Sequence, residues 1–107
     1  MAWIVVVVAG LFEVAMALSL KESHGFSRPL PSALFVLFAI VSFGLLSFAL
    51  RTLPVGTGYA VWTGVGAVGT AVVGMLVLGE PRDALRLASI ALIVAGVAGL
   101  RLAGGGH

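Results

Sequence analysis

The sequence has no cysteine, and charged residues make up only 9% of its 107 positions. Without thiols there can be no disulfide framework, no thiolate metal site and no cysteine nucleophile. The six lysines and arginines are scattered at the ends of apolar segments, so the clustered cations of a nucleic-acid footprint are missing. No nucleophile–base pair and no cluster of metal ligands stands out, which argues against an enzyme and against a bound metal or cofactor. Acidic residues number only four, and that scarcity gives the position of one of them its weight.

Hydrophobic residues fill the space, at 61% of the chain, against roughly 45–50% in soluble domains. They fall into four stretches, about Trp3–Leu20, Ser32–Leu50, Leu53–Leu78 and Leu85–Leu102. About 20 residues in a helix cross the hydrocarbon of a bilayer, and each stretch meets or nearly meets that length. Continuous apolar runs, rather than alternation, point to helices and not to a barrel. The first stretch lacks a positive n-region and contains Glu13, so it reads as a span rather than a cleaved signal. Trp3, at its end, reads as an interfacial anchor. The expectation is an all-α integral membrane protein with a single four-helix transmembrane domain over residues 1–103. Residues 104–107 are expected to form a disordered tail.

The connections are short and polar: Lys21 to Pro29, Arg51 and Thr52 with Pro54, and Gly79 to Asp83. None could host a soluble domain, and His24 reads as a solvated loop histidine. Lys21, Arg28, Arg82 and Arg86 lie on one side of the bilayer, against Arg51 and Arg101 on the other. So slight a bias under the positive-inside rule permits insertion in both orientations.

Glu13 is the acidic residue that stands within a span, about midway along the first. A charge at that depth costs at least about 2.5–3.5 kcal/mol, so such residues mark ion pathways by default. No lysine or arginine lies at that depth to neutralise it, which leaves a proton or a transported cation as partner. One carboxyl can hold either but not both, and that exclusion is enough for coupled antiport.

Tyr59 and Trp62, three residues apart on the third span, share a helical face and offer a hydroxyl and a π-face to a cation. Ser42, midway along the second span, could donate to Glu13. Gly10, three residues before Glu13, leaves room beside it. Gly64 and Gly66, near the middle of the third span, are candidate hinges. The fourth span carries Ala91, Ala95 and Gly99 at four-residue spacing, with Ser89 and Gly96 nearby, a pattern that lets helices approach closely and so favours a pairing face.

Four thin helices with one carboxyl cannot enclose a pathway alone. Many transporters place their site between inverted repeats, and this chain shows no internal duplication. An inverted pair must therefore come from two copies, an antiparallel, dual-topology dimer.

Over nearly its whole length the chain resembles the small multidrug resistance family. The resemblance is carried by Ala9-Gly10-Leu11-Phe12-Glu13, by His24-Gly25-Phe26-Ser27-Arg28 with Pro31-Ser32, and by the run from Leu53 to Gly66. It implies a multi-pass protein of the bacterial inner membrane that exchanges protons for cationic substrates by alternating access. Glu13 would be the shared proton and substrate ligand, Tyr59 and Trp62 would line the pocket, and Ser42 would bond the glutamate. Val61 to Gly64, Gly66 to Gly69 and Arg86 to Val94 look like the guanidinium-exporter subtype. That subtype usually carries tryptophan one turn after the glutamate, where this chain has Met16. A flexible thioether there would admit larger cations.

The resemblance thus implies a proton-coupled exporter of guanidinium or small guanidinyl cations. The alternatives are export of hydrophobic quaternary ammonium compounds, or a role as one subunit of a heterodimer with a related chain. From another class, a small dimeric ion channel would share this size and topology, but Glu13 beside glycine hinges suits alternating access better.

Overall fold

The computed structural model describes residues 1–104, which form four helices: α1 (Ala2–Glu22), α2 (Pro29–Ala49), α3 (Val55–Val77) and α4 (Ala84–Gly104). At 1.5 Å per residue each is about 30 Å long, the thickness of bilayer hydrocarbon. All four are long and apolar enough to span. Gly104 continues α4, whereas residues 105–107, the rest of the expected tail, lie outside the described residues.

The ends follow from local chemistry. Arg28 is extended (φ −104°, ψ 121°) because it precedes Pro29, and both Pro29 and Pro31 sit in the first turn of α2, where proline costs no hydrogen bond. Between α1 and α2 the backbone turns left-handed at His24, Gly25 and Phe26 (φ 47°, 72° and 67°). Buried Ser23 holds that turn: its Oγ accepts from the Phe26 amide (3.1 Å), and its carbonyl accepts from the Ser27 and Arg28 amides. After α3, Gly79 takes a positive φ of 72°. The Gly74 carbonyl accepts from the Leu78 and Glu80 amides, and Arg82 Nη2 donates to the Met75 carbonyl at 2.9 Å. The last carbonyls of the helix are thereby satisfied without continuing it.

Helix α1 packs against both α2 and α3, while the backbone of α4 runs close to α3 and its Arg101 side chain reaches the Trp3 ring of α1. The small core comprises Val6, Ala9, Leu46, Ala49, Leu53, Val61 and Trp62. Large apolar residues such as Ile4, Ile40, Leu76 and Leu92 point outward, the arrangement expected when the surroundings are lipid. The extents are 43 × 35 × 17 Å. Packed helices sit about 8–10 Å apart axis to axis, so the chain is a slab about two helices deep.

No described residue of α4 is buried. Ala91, Ala95 and Gly99 are exposed, and nothing lies within 4 Å of where a Cβ would stand on Gly96 or Gly99. Ser89 turns its hydroxyl back onto the Leu85 carbonyl (2.8 Å). Ser89 and Gly96 lie roughly a third of a turn away from the Ala91–Ala95–Gly99 stripe. The small residues therefore form two strips rather than one face.

Candidate functional site

The site forms where α1 crosses α3. The glycines of α3 make the crossing close: Val14 of α1 rests on Gly69, and the Glu13 carboxyl rests where a side chain on Gly66 would stand. A Cβ on Gly66 would collide with both Glu13 oxygens. Glu13 is half-buried, and its Oε1 is shielded from solvent without a hydrogen-bond partner. A buried acceptor left unpaired costs about 1–3 kcal/mol, more if charged. The one ion pair among the described residues, Arg86 with Asp83, is exposed at the start of α4. A small donor cation or a proton would relieve Glu13.

One turn earlier, Gly10 does not open space beside Glu13 as expected. A Cβ there would come within 2.6 Å of Val65 and 3.3 Å of the Trp62 carbonyl, so Gly10 lets the α1 and α3 backbones meet. Gly64 does the same for α4, since a Cβ on it would meet Val97 at 2.6 Å. Helix α3 runs unbroken through Gly64 and Gly66. In this conformation both glycines serve close packing.

Ser42 is fully buried, but its proton goes elsewhere than predicted. Its Oγ donates to the Ala9 carbonyl (2.7 Å) and accepts from Trp62 Nε1–H (2.9 Å). A hydroxyl has one proton to give, so here Ser42 does not donate to Glu13. Instead it ties α1, α2 and α3 together one turn from the carboxyl. The Trp62 ring is 5.1 Å from that of Phe43 and 5.3 Å from that of Tyr59, both tilted. Trp62 is buried, while Tyr59 is 53% exposed and is the ring of this pair that a partner outside the chain can reach. Met16 is half-buried on α1, one turn beyond Glu13.

Two participants were missed in the sequence. Phe43 follows Ser42 and was a legible aromatic, but its approach to Trp62 depends on the rotation of α2. The Ala9 carbonyl is backbone and leaves no side-chain signal.

A family model described as Small Multidrug Resistance protein matches residues 1–93. The chain belongs to the small multidrug resistance family. Among curated members, the protein named guanidinium exporter in Escherichia coli (strain K12) is 57% identical over 102 residues, covering 95% of this chain and 97% of that one. Proteins of the same name in Citrobacter freundii and Salmonella typhimurium match with the same identity and coverage. With its four spanning helices, this member of the family is a multi-pass protein of the bacterial inner membrane.

Proposed function

We propose that the chain exports guanidinium or related small guanidinyl cations in exchange for protons, as an antiparallel dimer with Glu13 as the shared ligand. The observation that carries this reading is the shielded, unpartnered Glu13 Oε1 seated on Gly66, in a chain 57% identical to proteins named guanidinium exporter. A guanidinium pairs with a carboxylate through two parallel N–H···O bonds. It also lies well against an aromatic face, which the exposed Tyr59 ring supplies, backed by buried Trp62. Because Trp62 spends its N–H on Ser42, its indole is held in one orientation before any cation arrives.

A proton and a cation compete for Glu13, so the carboxyl is released to one side only when loaded with one or the other. Two features support a second copy: the slab is only 17 Å deep, and among the described residues nothing packs on Gly96 or Gly99 of α4. Movement at Gly64 and Gly66 would let α3 re-aim the site between the two sides. The partner is an identical chain in the simplest form of this reading, or a related subunit in a heterodimer.

The test is the purified chain alone in liposomes. A guanidinium gradient should drive proton flux in the opposite direction, and a quaternary ammonium gradient should drive less. Guanidinium flux without proton movement would make the protein a channel. Flux seen only with a second subunit would make it half of a pair. A quaternary ammonium preference would favour the multidrug subtype, to which the thioether at Met16 is suited.

A further inference from the structure

On the face of α1 away from Glu13, a lateral groove of about 860 Å³ lies between α1, α3 and α4. Val7 and Leu11 form one wall, Val65 and Val68 the floor, and Val94 and Ala98 the other wall. One end is different. There the Arg101 guanidinium stands 5.0 Å from the centre of the Trp3 ring, at the start of α1 and the end of α4. Arg101 is exposed, and among the described residues no carboxylate pairs with it.

The length of the groove decides between occupants. From Trp3 to Leu11 it follows eight residues of α1, about 12 Å at the helical rise. That is close to half of the ~30 Å hydrocarbon. A helix of a second chain would need a seam across the full thickness, whereas a lipid occupies one leaflet. Tryptophan and arginine at the open end mark headgroup level, and basic pockets between membrane helices attract anionic headgroups.

We propose that this groove is a site for an anionic phospholipid, its phosphate on Arg101 and an acyl chain along the valine-lined walls. Trp3 holds the guanidinium over the groove mouth, so the charge is placed before the lipid binds. The site lies apart from Glu13 and is independent of what the protein transports. In an antiparallel pair the two grooves open to opposite leaflets, so a membrane with anionic lipid on one side fills one groove only.

The full chain would be reconstituted in phosphatidylcholine vesicles with trace spin-labelled phosphatidylglycerol or phosphatidylcholine. The motionally restricted fraction gives the relative association of each. The expected result is a preference for phosphatidylglycerol that drops about five-fold in Arg101→Gln, the attraction of one basic residue for an anionic surface. Arg101→Lys keeps the preference, and high salt weakens it. Ala98→Leu, which narrows the groove, lowers the restricted fraction of both lipids. Equal association of the two lipids with the unaltered chain, or a preference untouched by Arg101→Gln, overturns the proposal. So does an Ala98→Leu chain that loses cross-linking to a second copy while its lipid fractions stay constant, since a second chain would then fill the groove.

Discussion

The Glu13 carboxyl rests against the bare backbone of Gly66, in space that any other residue would fill. Gly66→Ala should therefore act on transport more than on folding. Alanine is favoured over glycine in a helix by about 1 kcal/mol, so α3 itself gains. The added methyl instead pushes the carboxyl off its seat. Guanidinium affinity should fall at least about tenfold, the cost of roughly 1.4 kcal/mol of misplacement, while circular dichroism keeps its helical signal. Unchanged binding by the alanine variant would show that the seat is irrelevant.

Glu13→Gln keeps the size of the side chain and removes its titration. Coupled transport should disappear with the fold intact, as read by guanidinium-driven proton flux. Glu13→Asp should retain exchange with a displaced pH profile, because the shorter carboxyl no longer reaches the same point on Gly66.

Proton and cation should compete at equilibrium. As pH falls and Glu13 becomes protonated, apparent guanidinium affinity should weaken, approaching about tenfold per pH unit for one proton displaced. As pH rises and the carboxylate dominates, affinity should level off. Binding isotherms from acid to neutral pH check this, and a flat profile would contradict a shared ligand.

Ser42→Ala would strand the buried Trp62 N–H, at a cost of about 1–3 kcal/mol. Trp62→Phe removes that donor and leaves Ser42 bonded to Ala9. The double variant should lose less stability than the two single losses added, as for residues sharing one hydrogen bond. Unfolding in mild detergent measures the cycle. Strict additivity would deny the bond any energetic role.

Met16→Trp should narrow substrate tolerance toward bare guanidinium, since an indole fills space that a thioether leaves adaptable. The change in the rate ratio between guanidinium and its alkyl derivatives should correspond to about 1–3 kcal/mol. An unchanged ratio would place Met16 outside the pocket.

The helices and the unusual carboxyl were legible because each rests on quantities that a sequence carries directly: span length, apolar continuity and a charge where none is affordable. What the polar residues touch was not. Ser42 could have turned its proton toward any acceptor within reach, and only the rotation of α2 against α1 selects the Ala9 carbonyl. The packing partners of the glycines were hidden for a related reason. Gly10 reads as open space, but its missing side chain matters through what lies opposite, Val65, as that of Gly64 does through Val97. Nothing in their own neighbourhood along the chain names those partners.

Among the described residues α4 buries none, and it meets the rest of the chain mainly through α3. A dimer held together there draws its cohesion from outside each chain, so the number of working units depends on how many copies share the same membrane. At low density, export per cell should rise with roughly the square of expression and become linear once most copies are paired. A cell could then regulate the exporter steeply through synthesis alone, with no ligand or modification acting on the protein.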